Sequence, residues 1–266
     1  MSDARTIIRP AAVAGMFYSA DPNQLQSDVS HYLQQAKSGS GFTPKAIIVP
    51  HAGYAYSGPI AACAYKLLQP FKHLIKQVVL LGPSHRVAFS GIATTNADYF
   101  STPLGNININ RSLCRQAEIF NFVHANDAAH AQEHSLEVQL PFLQITLDDF
   151  ELTPLVVGEC SAQDVAKLLD TIWGKSETLI VISSDLSHYH NYPTAKQLDQ
   201  KTSFSIENCQ PENISHEDAC GRFPLNGLLT LAKQKQLSID TIDLRNSGDT
   251  AGDKERVVGY GAYVVH

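Results

Sequence analysis

Histidines follow three separate apolar runs in this chain, and each run has the length and composition of a buried strand. The runs are residues 46–50 before His51, residues 78–84 before His85, and residues 178–182 before His188. Short runs rich in β-branched residues are typical of central strands in a parallel sheet. Ligands of open α/β sheets bind in the crevice at the carboxyl ends of such strands. Three strands that bring imidazoles to one edge predict a metal site or an acid–base site.

The first two histidines, His51 and His85, lie beside glycine and proline residues that predict sharp turns. Gly53 after His51 lets the backbone turn sharply, and Pro59 suits the first position of a helix. The run Gly82-Pro-Ser-His85 ends the second strand just at its histidine. Either histidine alone fits an ordinary connecting loop. Neighbouring strands, however, bring their ends to within about 5–10 Å, which is within reach of one metal ion.

The third run leads into Ser183-Ser-Asp-Leu-Ser-His-Tyr-His190, which carries several polar groups. Asp185 stands three residues before His188 and is expected to accept a hydrogen bond from its second ring nitrogen, which would fix the tautomer. Asp185 could instead be a ligand or cap a turn. His188 is either a third ligand or a general base, and His190 is expected at the surface.

His134 belongs to the run Glu133-His-Ser135, directly before a predicted helix at residues 136–147 that Ser135 would cap. From that position His134 could lie at the mouth of the same crevice and donate a hydrogen bond to a substrate oxygen. A solvent-exposed residue ahead of the helix fits the sequence equally well.

Cys220 differs from the other cysteines because it precedes a predicted helix at residues 224–236 and stands beside Arg222. A helix amino terminus and a neighbouring cation both lower the pKa of a thiol, so we expect a thiolate here. The remaining cysteines carry no supporting motif and are expected to pack in the interior.

The composition is that of an ordinary globular protein. The 266 residues are 44% hydrophobic and 17% charged, with a net charge of −6. This charge gives no reason to expect nucleic acid or an anionic membrane as partner. The apolar runs are too short to cross a bilayer. Five cysteines without a CxxC pair favour reduced thiols and a cytoplasmic location.

Strands and helices alternate along most of the chain. We predict helices at residues 22–35, 59–68, 112–120, 136–147, 162–172, 194–207 and 224–236, and strands at 46–49, 78–81, 152–157, 179–182, 238–244 and 257–265. Residues 91–110 suggest short antiparallel strands, and Ser38-Gly-Ser-Gly41 reads as flexible. The pattern predicts a single α/β domain over residues 1–266, with a central mixed sheet flanked by helices on both faces.

Six ordered segments resemble the Memo family, of the kind called AmmeMemoRadiSam system protein B. They are Arg9-Pro-Ala-Ala-Val-Ala-Gly-Met-Phe-Tyr18, Val49-Pro-His-Ala-Gly-Tyr54, Leu81-Gly-Pro-Ser-His85, Glu133-His-Ser-Leu-Glu-Val-Gln-Leu-Pro-Phe142, Ser183-Ser-Asp-Leu-Ser-His188 and Ala219-Cys-Gly-Arg222. The resemblance implies the fold of class III extradiol ring-cleaving dioxygenases, with a metal pocket at one edge of the sheet. It also implies a possible radical-SAM protein as partner in a modification pathway.

By this resemblance, His51, His85 and Cys220 match metal-binding positions, and His188 matches an acid–base residue that faces the metal. His134 would contact substrate near the pocket entrance. Extradiol enzymes hold Fe(II) with two histidines and a carboxylate, whereas here a thiol stands in the place of the carboxylate. A thiolate shifts the preference toward iron or copper, with zinc also possible.

Three functions are compatible with these residues. The first is a metal-dependent oxidoreductase with His51, His85 and Cys220 as ligands and His188 as acid–base residue, oriented by Asp185. The second is a zinc hydrolase, and the third is a non-catalytic module that binds a metal or a peptide.

Overall fold

The computed structural model describes residues 6–37 and 43–266. The segment expected to be flexible, residues 38–41, lies outside the described residues. Within these ranges, no helix is both long enough and apolar enough to cross a membrane.

The helices are α1 (Pro22–Gln35), α2 (Tyr54–Lys66), α3 (Arg111–Ala117), α4 (Asp127–Ala131), α5 (Leu140–Thr146), α6 (Ala162–Thr171), α7 (Tyr192–Glu207) and α8 (Arg222–Lys235). Short 3₁₀ turns span Gln69–Phe71, Glu137–Gln139, Pro211–Asn213 and Ser247–Asp249. The strands are β1 (Ile8–Arg9), β2 (Ala46–Val49), β3 (Gln77–Pro83), β4 (Ile92–Thr94), β5 (Tyr99–Thr102), β6 (Gly105–Asn108), β7 (Val123–Ala125), β8 (Glu151–Val157), β9 (Thr178–Ser183), β10 (His188–His190), β11 (Ile239–Asn246) and β12 (Val257–Val265).

One large sheet organises the molecule, in the order β10-β12-β2-β9-β3-β8-β4-β7, with β11 paired to β12. Its centre is parallel, because β2 and β3 both run alongside β9 and β8 runs alongside β3. Its flanks are antiparallel at β12 and β4. The predicted mixed sheet is confirmed, and the parallel centre directs the carboxyl ends of β2, β3 and β9 to the same edge.

Helices cover both faces of this sheet, as predicted. Side chains of α1, α2 and α5 share one buried cluster with alternate residues of the strands. Side chains of α6 and α8 pack in a second cluster on the opposite face. The central strands are apolar on both faces because both faces are covered. A smaller sheet, β1-β5-β6, contains the antiparallel pair expected within residues 91–110.

The prediction of a helix at residues 136–147 is wrong at the start of the helix. The chain forms a 3₁₀ turn over Glu137–Gln139 and only then α5, so Ser135 does not cap it. The Ser135 hydroxyl instead donates to the Pro83 carbonyl at 2.9 Å. A tertiary hydrogen bond to the end of β3 therefore replaces the local cap.

The helix predicted to open at Pro59 begins earlier, at Tyr54. Gly53 precedes it, and Pro59 lies inside α2. The backbone amide of Tyr54 donates to the Phe17 carbonyl at 2.8 Å, which anchors the new start. The first turn is thus fixed by the amino-terminal segment, a contact that local sequence does not encode.

Glu137 forms a buried ion pair with Arg9, and both side chains are almost fully excluded from solvent. The same carboxylate accepts hydrogen bonds from the backbone amides of Ala12 and Val13, at 2.8 and 2.9 Å, and from the Tyr18 hydroxyl at 2.6 Å. Arg9 also donates to the carbonyl of Glu133 at 2.8 Å. Residues 9–18 are therefore bound to the turn at residues 133–137.

We predict that Glu137→Gln destabilises the fold by roughly 3–5 kcal/mol, because the substitution leaves the Arg9 guanidinium buried without its counter-charge. Urea unfolding followed by circular dichroism measures the change. Glu212→Gln, at an exposed position, is the matched control and should shift stability by less than about 0.5 kcal/mol. Equal stabilities for the two variants would contradict the structural role of Glu137.

Candidate metal centre

His51 lies directly after β2, and both its ring and its backbone are held by β9 and the loop that follows it. Its Nδ1 is 2.9 Å from the Ser183 hydroxyl oxygen, and Val49 pairs with Ser183 across the two parallel strands. Its backbone amide donates to Asp185 Oδ1 at 2.7 Å. With Nδ1 engaged, Nε2 is the free nitrogen, and it lies 3.2 Å from the Cys220 sulfur.

His85 follows β3 and is oriented by Glu133. Its backbone amide donates to one carboxylate oxygen at 2.6 Å, and its Nδ1 lies 2.9 Å from the other. A carboxylate that engages the second ring nitrogen of a histidine fixes the ring and raises its basicity, as is common for metal ligands. This contact leaves His85 Nε2 free.

His134 joins these two residues. Its ring stacks on His85 with centroids 4.5 Å apart, and it lies tilted against the Phe17 ring at 4.8 Å. One ring nitrogen from each of His51, His85 and His134 lies within 4.8 Å of the others, so this group could hold a metal ion. His134 is therefore part of the cluster itself.

The segment that carries His134 connects the ends of three strands. Ser135 donates to Pro83 of β3 and accepts at its carbonyl from the Ser183 hydroxyl of β9, at 2.6 Å. Gln139 donates to the Pro50 carbonyl after β2 at 2.8 Å. A Cβ at Gly82 would come within 2.8 Å of the Ser135 hydroxyl oxygen, so only glycine permits this approach.

Asp185 does not orient His188 as the sequence suggested. Its carboxylate accepts from the backbone amide of His51, and Asp185 Oδ2 lies 3.9 Å from His51 Nε2. Burial raises the pKa of Asp185 to about 7, against the lowering effect of the His51 amide hydrogen bond. The carboxyl group therefore positions the loop of His51.

His188 lines the same cavity from β10. The strand is docked on β12, where the Gly259 amide donates to the Ser187 carbonyl at 2.8 Å. Asp199 of α7 accepts from the Ser187 amide at 3.0 Å, and a Cβ at Gly259 would meet that carboxylate at 2.1 Å. The absence of a side chain at Gly259 therefore allows α7 to hold the segment of His188.

Cys220 is half-buried beside His51, but its thiol is not activated as predicted. Burial, followed by the negative charge of Asp185, raises the pKa of the Cys220 thiol above its ordinary value. The cation expected to lower it is turned elsewhere, because the Arg222 guanidinium lies 4.0 Å from the centre of the Phe223 ring. Without a bound cation, the sulfur is a neutral thiol.

Burial keeps His51, His134 and His188 neutral near pH 7. Burial, and then charge repulsion from His85 and His134, lowers the pKa of His51 well below its usual value. Burial likewise lowers the pKa of His134 to about 4, and it lowers that of His188. Burial alone would raise the pKa of Glu133, but its hydrogen bonds and charge interaction with His85 lower it to about 2. Neutral imidazoles keep the lone pairs that a metal needs.

These groups line a cavity of about 820 Å³ at the edge of the sheet. The predicted residues His51, His85, His134, Asp185, His188 and Cys220 all contribute to its wall. His190 is not among the residues that line it. The volume suits a small organic molecule.

The sequence matches the model of the family described as Memo-like protein over residues 9–264. The chain belongs to the Memo family. The match includes all six segments that resemble this family and every residue of the candidate centre.

Curated Memo-family relatives are similar over nearly their whole length. A MEMO1 family protein of Aquifex aeolicus is 34% identical, with 95% of this chain and 97% of the relative covered. One of Methanosarcina mazei is 33% identical, with 97% and 99% covered. The crystal structure of the uncharacterized protein JW3007 from Escherichia coli K12 has a TM-score of 0.51 at 12% identity, covering 82% of this chain and 98% of that one. This last similarity shows a shared fold.

Two residues that position the Memo-family centre were missed by the sequence reasoning. Glu133 orients His85, and Ser183 orients His51, yet neither was assigned a role. The signal for Glu133 was a carboxylate next to a candidate histidine. No local signal marks Ser183, because its partner becomes adjacent only when β2 and β9 pair.

We predict that Glu133→Gln lowers metal affinity by about 10–100-fold, because the amide holds the His85 ring without the carboxylate's charge. A competition titration against a chromophoric chelator measures the affinity. Glu151→Gln, an exposed change of the same kind, should leave it unaltered. Unchanged affinity in a folded Glu133→Gln protein would contradict the orienting role.

Proposed function

We propose that this Memo-family protein is a metal-dependent oxidoreductase that binds iron or copper through His51, His85 and Cys220. The observation that carries the proposal is the meeting of two oriented imidazoles and a thiol at an open cavity. Both histidines have Nδ1 engaged by the protein, and the Cys220 sulfur lies 3.2 Å from His51 Nε2.

The hydrogen bonds of the histidine ring nitrogens that would not bind the metal favour Cys220 over His134 as the third ligand. Metal-ligating histidines almost always engage a protein group through the other ring nitrogen. His51 and His85 do so, whereas the buried Nδ1 of His134 has no hydrogen-bond partner among the described residues. The Nδ1 atom of His134 lies 3.4 Å from Glu133 Oε1, but the two atoms do not form a hydrogen bond. A bound cation would deprotonate the thiol, which removes the effect of its raised pKa.

The donor set supports a redox metal. Imidazole suits iron, copper and zinc, and a soft thiolate disfavours the hard cations magnesium and calcium. A bound iron or copper ion would supply one-electron chemistry for the oxidation of an organic substrate in the cavity.

The protein's own residues would handle protons and position the substrate. His188 is neutral near pH 7 and faces the cavity, so it can accept a proton from a substrate hydroxyl. His134 also lies at the cavity wall and can hydrogen-bond a substrate oxygen. Asp185 acts through His51, whose backbone it fixes.

A zinc hydrolase is the second candidate, and the His51–His85–His134 group favours it. Three histidine ligands form the zinc site of some hydrolytic enzymes, and these imidazoles are close enough to form one. In that case Cys220 would not be a ligand.

Elemental analysis of anaerobically purified protein tests the proposal. We expect stoichiometric iron or copper in the wild type and in His134→Ala, and its loss in Cys220→Ser and His85→Ala, because only the last two remove a ligand. His124→Ala, at an exposed position, is the matched control and should retain the metal.

Other results would separate the candidates. Zinc lost in His134→Ala but retained in Cys220→Ser would support the hydrolase and contradict the proposed ligand set. No metal in the wild type, even after reconstitution, would remove both candidates and favour a binding module.

A further inference from the structure

The cavity wall formed by β10, β12 and the loop before β12 carries polar groups that the proposed metal chemistry does not use. Tyr260 of β12 is 2% exposed, and it lines the cavity. Its hydroxyl makes no hydrogen bond to any described residue. A tyrosine this deeply buried usually has a partner for its hydroxyl. The Tyr260 hydroxyl is therefore a free donor that faces the space a ligand would fill.

Tyr189 stands on the same wall in a strained conformation. Its φ of 61° lies in the left-handed region, which a bulky side chain rarely adopts. The strain coincides with an irregular register between β10 and β12, at His188 and His190. Tyr189 is 65% exposed and lines the cavity beside His188. Strain of this kind persists where the surrounding structure requires it, often at ligand sites.

Arg256 brings a positive charge to this wall. Its guanidinium lies 5.1 Å from the centre of the Tyr189 ring and lines the cavity. Among the described residues, no carboxylate forms an ion pair with it. The nearby Asp253 is engaged in its own loop, where it accepts from the backbone amides of Glu255 and Arg256. The guanidinium donors are thus available to a ligand.

We propose that Arg256, Tyr189 and Tyr260 bind a small, flat organic carboxylate in front of the metal site. Arg256 holds the carboxylate, and the Tyr260 hydroxyl donates to an oxygen of the ligand deeper in the cavity. The aromatic side chains of Phe17 and Tyr56 on the lining provide apolar faces for a flat body. The inference names the substrate class of the proposed oxidoreductase and in that sense rests on the proposed function.

The charges of the cavity favour a single negative charge on the ligand. Arg256 is the one arginine or lysine among the described residues that line the cavity, whereas Asp185, Glu217 and Asp253 are acidic. Phosphate dianions are usually held by several cations or by helix termini. A guanidinium matches one carboxylate in a bidentate geometry. A monocarboxylate therefore suits this wall better than a phosphate.

Ligand-observed NMR with benzoate as the probe tests the inference on full-length protein, both metal-free and metal-loaded. We expect benzoate to bind, and Arg256→Gln to weaken it about tenfold or more, because a charge-assisted hydrogen bond is lost. Tyr260→Phe should weaken an ortho-hydroxybenzoate probe more than it weakens benzoate. Arg115→Gln, an exposed change of the same charge, should change nothing. Benzyl alcohol, a neutral analogue, should not respond to Arg256→Gln.

Equal benzoate affinity in the wild type and a folded Arg256→Gln variant, or no benzoate binding, overturns the inference. Inorganic phosphate that binds as tightly as benzoate through Arg256 overturns the choice of a carboxylate. Metal content measured on the same samples separates this outcome from failure of the proposed function. Metal retained without Arg256-dependent binding removes only the carboxylate inference, and absence of metal removes the oxidoreductase.

Discussion

The buried carboxylate of Glu137 is the constraint on which the arrangement of the centre depends. It is fully excluded from solvent and accepts hydrogen bonds from the backbone of residues 12 and 13, from Tyr18 and from Arg9. A buried charge is tolerated only when it is paired and hydrogen-bonded in this way. The contacts of Glu137 fix the turn that carries Glu133 and His134. Hydrogen bonds connect this segment to the ends of β2, β3 and β9. The candidate metal centre therefore depends on a polar cluster that contains no candidate ligand.

A second constraint is electrostatic. Five histidines line one cavity, and burial, reinforced by repulsion from neighbouring imidazolium groups, disfavours the protonated forms of His51, His134 and His188. These three imidazoles keep their lone pairs near pH 7, while Cys220 and Asp185 can each lose a proton beside them. A cation would stabilise all of these groups together. The imidazoles of His85 and His51, oriented by Glu133 and Ser183, thus favour metal binding over a purely structural role.

Most of the fold could be predicted from periodicity, because the parallel strands are long apolar runs and helices such as α1 have evenly spaced apolar residues. The errors occur where tertiary contacts override local preference. Ser135 bonds to Pro83 instead of capping a helix, and α2 starts at Tyr54 because Phe17 binds its amide. Both contacts join segments that are far apart in the sequence, so no local pattern could reveal them.

The candidate site was predictable to a similar degree. The strand-end rule identified His51, His85 and His188, and the structure brings them to one cavity. The hydrogen-bond partners of the site residues were harder to predict. Asp185, for example, binds the backbone of His51 and not His188, which is nearer in sequence. Proximity in sequence misled here because the chain between Asp185 and His188 is directed by β12. The thiol of Cys220 was likewise judged from its helix and Arg222, whereas burial dominates its pKa.

The central claim is that two oriented imidazoles and the Cys220 thiolate hold one metal ion. X-ray absorption of the zinc-loaded protein tests it directly, because zinc–sulfur and zinc–nitrogen bonds differ, at about 2.3 and 2.0–2.1 Å. The account predicts one sulfur neighbour and two imidazole nitrogens in the wild type, and no bound zinc in Cys220→Ser. A wild-type spectrum with three imidazole nitrogens and no sulfur would contradict it.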